Sequence, residues 1–335
     1  NGAVESALLR RSGRGVYDFD DALMVQQPGL SQRVFSRSRA WRRAVEAADQ
    51  VIAAVDEVAD SERAVASARF FKTGPGDYGE GDVFAGVPVP ELRATDLLVR
   101  VRAAGVAFST PPAADGPSTA RCYVLVTPDG ERTMNTYLGA AQDLHPADVD
   151  AEMIAASAIT YLEGYLWDPP AAKEAFLKAA AIAHDANRMV ALTLSDSFCV
   201  DRYRDEFLKL VRGDVDILFA NEAEIMSLYQ TETFDEALQA VRGDTKVAAL
   251  TRSEAGSVVV VDGEVHVVDA ETPTALVDTT GAGDQFAAGF LYGWATGRGP
   301  VECGRLGSIC ASEVISHMGP RPEVNLGQLV ASKGL

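Results

Sequence analysis

The chain has 335 residues, 47% of them hydrophobic, enough to bury a large core in one domain or two. Its formal net charge of −18 favours solubility and argues against non-specific attraction to the phosphates of nucleic acid. No segment reaches the roughly eighteen consecutive apolar residues of a membrane span, so no membrane partner is expected.

In chain order, "NGAVESALLRRSGRG" lacks the charged start, apolar middle and cleavage site of a secretory signal. Residues 10–43 hold eight Arg and no Lys, a cluster that a solvated, salt-bridged face explains better than a binding site. "SRSRAWRRAVEAADQVIAAVDEVADSERAVASA" predicts helix, and residues 72–86, crowded with Gly and Pro, predict either a substrate loop or a surface loop. From Thr119 the pattern sharpens. "ARCYVLVTPDGERTMNTYL" predicts a hairpin turning at Thr-Pro-Asp-Gly. Strands are then predicted at "AITYLEGYL", "MVALTLSDS", "VDILFAN" and "KVAALTRS", with a second hairpin at "GSVVVVDGEVHVVDAE". Helices are predicted at "PPAAKEAFLKAAAIAHDANR", "DRYRDEFLKLVRG", "EAEIMSLY", "FDEALQAVRG", "DQFAAGFLYGWATG" and "VECGRLGSICASEVISHM". This alternation predicts an α/β fold with a mainly parallel sheet covered on both faces, and ligands at the carboxyl ends of its strands. The cysteines Cys122, Cys199, Cys303 and Cys310 form no C-x-x-C pair. That argues against zinc and fits a cytoplasmic setting.

"VDTTGAGDQF", residues 277–286, carries the chemistry. After an expected strand, Gly281, Ala282 and Gly283 let successive backbone N–H groups converge, and the following helix adds its positive dipole end. The result is an anion hole that needs no Lys, which matters in so acidic a chain. Asp284 stands at the helix start. It reads either as an N-cap or as a general base for a hydroxyl about to attack a phosphoryl group. The two Gly and two Thr around it favour the base.

"DTTGAGDQFAAGFL" closely resembles the C-terminal signature of the ribokinase-like (PfkB) family of sugar and nucleoside kinases. The resemblance implies one kinase domain over 1–335 with a small β lid. The lid would draw on residues 108–138 and on an unplaced N-terminal segment. It implies an ATP-dependent phosphotransferase with Asp284 as base and the Gly281, Ala282 and Gly283 amides as anion hole. "NEAE" resembles the family's N-x-x-E motif, so Asn221 and Glu224 would serve ATP and Mg²⁺, Glu224 through water. The same letters satisfy a capping box. "TRSEAGS" resembles the family's nucleotide strand and turn, with Thr251 and Gly256 beside ATP. Arg132 resembles a phosphate-clamping Arg, or is a surface Arg on a hairpin. His317 matches a position near adenine, and Asp278 and Thr280 match positions whose carbonyls bind an activating K⁺ in many relatives.

Residues from about Gly105 to Val330 resemble the adenosine-kinase-like bacterial branch. This points to a small-molecule nucleoside, adenosine first, or to a sugar of the ribose or fructose type. Tyr137, Tyr161, Tyr165 and Phe198 are candidates for a base slot, or for plain packing. A family member without kinase activity, binding nucleotide or nucleoside, is the alternative. The family admits monomers and lid-paired homodimers. Residues 1–104 match the family poorly. The Gly-Asn and Gly-Gly-x-x-x-Asn elements that grip the acceptor are missing, which reads as divergence, as loss of the acceptor site or as an unreliable stretch of sequence.

Overall fold

A computed structural model of the chain describes residues 113, 115–117, 120–126 and 129–335. The predicted Arg-rich helix and Gly-rich loop lie outside them, as do the acceptor elements sought in 1–104.

The first hairpin forms as expected. Strands β1 (Arg121–Val126) and β2 (Arg132–Tyr137) pair antiparallel, with Cys122 opposite Thr136 and Val126 opposite Arg132. They make a two-stranded sheet of their own, whose buried Val124 and Val126 pack on Met318. The main sheet has six strands in sequence order: β3 (Ile159–Glu163), β4 (Met189–Thr193), β5 (Ile217–Asn221), β6 (Val247–Thr251), β7 (Ser257–Val261) and β8 (Glu264–Val268). The first four run parallel; residues 252–256 turn β7 back antiparallel to β6, and the Asp262-Gly263 turn folds β8 antiparallel onto β7. Asp262 and Gly263 both adopt positive φ, the backbone that a tight hairpin requires.

Period-2 alternation sends each strand's apolar residues to two cores. On β5, Leu218 and Ala220 face one cluster while Ile217 and Phe219 face the other. The first cluster is covered by α2 (Pro170–Asp185), α3 (Ser197–Gly213), α4 (Glu222–Tyr229) and α5 (Phe234–Val241), which follow the short α1 (Ala151–Ala156). The second is covered by α6 (Ala282–Ala295) and α7 (Pro300–Val314), with α8 (Leu326–Ser332) closing the chain. Pro170 opens α2, where a missing N–H costs nothing.

Two expectations need correction. The helix expected from Asp201 starts at Ser197, because the Asp196 side chain accepts from Cys199 N at 2.8 Å and caps four more residues; the backbone kinks at Tyr203. No strand precedes the Gly-Ala-Gly turn. Residues 269–280 are irregular, and the amides of Val277 and Asp278 donate instead to Ile315 O, a carbonyl left over at the end of α7.

Helices α6 and α7 approach backbone to backbone, and glycine permits it. A Cβ on Gly289 would lie 2.6 Å from Leu306 O, and one on Gly307 would lie 2.7 Å from Phe286 O. Gly289→Ala should therefore destabilise the fold by about 1–3 kcal/mol through overpacking, despite alanine's better helix propensity. Urea unfolding at constant m-value measures the effect.

Candidate active site

The parallel register aligns the carboxyl ends of the strands. Glu163 lies beside Thr193, and Asn221 beside Thr251. Helix α6 runs antiparallel to these strands. Phe290 meets Phe219 near the end of β5, with ring centroids 5.4 Å apart, and one turn later Trp294 Nε1 approaches Met189 Sδ at the start of β4. The N-terminus of α6 is thereby aimed at the edge where β3–β6 end. Tertiary packing, and not a preceding strand, brings the Gly-Ala-Gly turn there.

The turn is held from behind. Asp278, 1% exposed, accepts through Oδ1 from Thr280 N (2.9 Å) and Thr280 Oγ1 (2.6 Å), and through Oδ2 from Gly319 N (2.8 Å). The side chains of Asp278 and Thr280 are thus occupied in shaping the loop. Gly281 is the N-cap of α6 at φ +80°, and a Cβ there would press on Pro320 Cβ at 2.7 Å. Only glycine meets both demands. Ala282 N–H turns inward and donates to Thr279 O at 3.2 Å, so of the three expected anion-hole amides this one is engaged within the loop. Gly283 differs again: a Cβ there would meet nothing within 4 Å. No protein neighbour demands glycine at this position, and in the first turn of a helix its amide lacks an intrahelical acceptor. Open space at the Cβ position beside that amide fits the approach of a phosphate. Asp284 is the third residue of α6, half-buried, not the cap.

Asn221 and Glu224 form a reciprocal capping box on α4. Glu224 N donates to Asn221 Oδ1 (2.8 Å), Asn221 N to Glu224 Oε2 (2.9 Å) and Asn221 Nδ2 to Glu224 Oε1 (2.7 Å). Burial pushes the Glu224 carboxyl up to about 7, against the pull of the Asn221 amide, and the charge of Asp196 pushes the same way. A carboxylate under this pressure gains from a cation, which fits Mg²⁺ carried on a polyphosphate.

The remaining expected residues divide. Thr251 ends β6, half-buried beside Asn221. Gly256 has a structural cause of its own, since a Cβ would fall 2.2 Å from Val268 O. His317 is packed against Glu313 Oε1 at 3.2 Å and lies two residues before the Gly319 that binds Asp278. Arg132, exposed, donates from Nη1 to Thr279 Oγ1 at 2.9 Å, so the hairpin reaches the loop. Of the aromatic candidates, Tyr161 is 4% exposed and sits edge-on to Phe219 in the core, which removes it from any base slot. Phe198 is 72% exposed. Sequence reading passed over Thr279, Pro320 and Gln285, whose Nε2 approaches Pro320 O at 3.5 Å. Thr279 lies inside the motif, but its partner Arg132 is 147 residues away, a distance that no spacing rule spans.

The profile of pfkB family carbohydrate kinases matches residues 80–325. The chain belongs to the pfkB carbohydrate kinase family. Its fold is ribokinase-like, with a mostly parallel sheet between helices, as expected. Among solved structures, this pfkB-family chain is similar to a probable sugar kinase protein from Rhizobium etli CFN 42, at 52% identity and a TM-score of 0.70, covering 72% of this chain and 73% of that one. It is also similar to the adenosine kinase from Sinorhizobium meliloti, at 49% identity and a TM-score of 0.71, covering 79% and 77%. A cytidine kinase from Thermococcus kodakarensis is 38% identical over 35% of this chain. The match spans 45% of that curated relative, less than half its length. The family match begins at residue 80, earlier than the resemblance from Gly105.

Two predictions follow from this geometry. Gly283→Ala should leave thermal stability unchanged or slightly raised, because alanine favours the helix by up to about 1 kcal/mol. It should weaken ATP binding sharply in calorimetry. Glu224, whose pKa in the fold lies above its value of 4.5 in the open chain, binds its proton more tightly folded than unfolded. Stability of the metal-free protein should therefore fall as pH rises from about 5 to about 7, by about 3 kcal/mol. Denaturant titrations across that window should show the slope in the wild type and not in Glu224→Gln.

Proposed function

We propose that this chain transfers the γ-phosphoryl group of ATP to a hydroxyl of a nucleoside, with adenosine the leading acceptor. The observation that carries the reading is the start of α6, where Gly283 leaves open space at its Cβ position beside a first-turn amide and Asp284 follows at the third helical position. The 49% identity to an adenosine kinase supports the acceptor class, and the 52% identity to a probable sugar kinase keeps a sugar hydroxyl as the second reading.

ATP with Mg²⁺ supplies, when bound, the transferable group and the cation that separates its charge from Glu224. Asp284 would take the proton of the acceptor hydroxyl as the bond from its oxygen to the γ-phosphorus forms and the bond from that phosphorus to the bridging oxygen breaks, with ADP as the leaving group. The Gly281 and Gly283 amides and the α6 dipole stabilise charge growing on the phosphoryl oxygens. Arg132 adds a full positive charge from the hairpin side, where it compensates in part for the acidic surroundings. Asn221 holds the Glu224 carboxyl in place, and Thr251 borders the nucleotide. The Asp278 carboxylate already accepts three protein hydrogen bonds, so a K⁺ here would rest on the carbonyls of Asp278 and Thr280, and the scheme does not call on it.

Asp284→Asn should abolish turnover and leave ATP affinity nearly intact, the first read by ADP release and the second by calorimetry. Near-normal turnover in that variant would sink the mechanism. Adenosine, inosine, ribose and fructose compared in the same assay decide the acceptor. A clear preference for ribose or fructose would replace adenosine, and no turnover with any acceptor would favour a binding protein.

A further inference from the structure

We propose that Thr279 is a positioning residue that aims Arg132 across the phosphoryl site and latches the β1–β2 hairpin onto the Gly-Ala-Gly loop. This inference rests on the phosphate-directed role of Arg132 given above. The Thr279 hydroxyl has one proton, and Gly130 O accepts it at 3.0 Å. Its lone pairs are thereby left to accept from Arg132 Nη1 at 2.9 Å. Thr279 N–H also donates to Gly130 O, at 3.2 Å. A chain of donors thus runs from guanidinium to hydroxyl to carbonyl, and its two ends belong to one hairpin turn. Each bond orients the next, so the guanidinium is directed by the same residue that fixes the turn.

The surroundings are built for this contact. Gly130 is buried at φ +82°, and a Cβ on it would meet Leu276 Cγ at 3.1 Å. The hairpin's Val124 and Val126 rest on Met318, whose neighbour Gly319 donates to Asp278. Turn, loop and the 318–320 segment therefore form one contiguous support. Arg132 makes no ion pair with a carboxylate of the described residues, and its charge is available to an anion. Valine at position 279 has the same shape as threonine and would keep the backbone N–H bond while losing both hydroxyl bonds.

Steady-state kinetics on Thr279→Val, Thr279→Ser, Arg132→Met and the Thr279→Val/Arg132→Met double variant test the proposal. Thr279→Val should lower kcat by about tenfold to a hundredfold, the loss expected for a hydrogen bond to a charged group, with KM for ATP nearly unchanged. Thr279→Ser, which restores the hydroxyl, should return kcat close to the wild type. The double variant should be no slower than Arg132→Met alone. Hydrogen exchange over residues 120–137 should rise in Thr279→Val and not in Thr279→Ser, a readout that needs no turnover. A normal kcat in Thr279→Val beside a slow Arg132→Met overturns the positioning role alone. Additive losses in the double variant do the same. A normal kcat in Arg132→Met overturns the phosphate role of Arg132 and the aiming with it. Unchanged exchange in Thr279→Val overturns the latch.

Discussion

The buried carboxylate of Asp278 is the constraint on which the site depends. A carboxyl group removed from water is costly unless its oxygens find donors. Here the donors are Thr280 N, Thr280 Oγ1 and Gly319 N. The first two curl the chain tightly before α6, and the third ties that curl to the segment after α7. With the loop so fixed, Gly281 must take its left-handed conformation against Pro320. Ala282 N–H is spent on Thr279 O, and the Gly283 amide follows in the first turn without an intrahelical acceptor. The Asp278 side chain is a clasp for the loop, and the acid proposed to react is the other one, Asp284.

The sheet and the α6–α7 pair carry that loop to the correct edge. Strict alternation on β4–β7 makes two cores from one sheet, so helices must cover both faces. Glycines at 289 and 307 let α6 lie against α7 backbone to backbone. The stack of Phe286, Phe290 and Trp294 then sets the direction of α6 along the strands. An anion-binding helix end is useful only where its dipole faces the ligand edge, and this packing decides that it does.

Some residues carry a structural duty beside the chemical one proposed for them. Asn221 and Glu224 complete a capping box, and the same box holds a carboxyl group that burial makes reluctant to ionise. Reading these letters as either a cap or a cation site posed a false choice, because one geometry supports both. Gly256 shows the opposite outcome. A family position beside nucleotide turned out to be required by the carbonyl of Val268, whatever binds nearby.

Local signals alone determined the hairpins, the parallel strands and most helix ends, since periodicity, Pro170, Asp262-Gly263 and Gly213 act within a few residues. They also picked out the Gly-Ala-Gly-Asp helix start proposed to bind an anion, because glycine and helix-start chemistry are local. Local signals missed the four capped residues before Asp201, where the Asp196 side chain outweighed a weak apolar pattern. They also supplied a strand before Asp278 that the fold replaces with bonds to Ile315. Only the tertiary structure decided that Tyr161 belongs to the core, that Ala282 N–H turns inward and that Thr279 joins Arg132. Those facts depend on which surfaces meet, and a hydroxyl that bridges two segments 147 residues apart leaves no trace in the order of the residues around it.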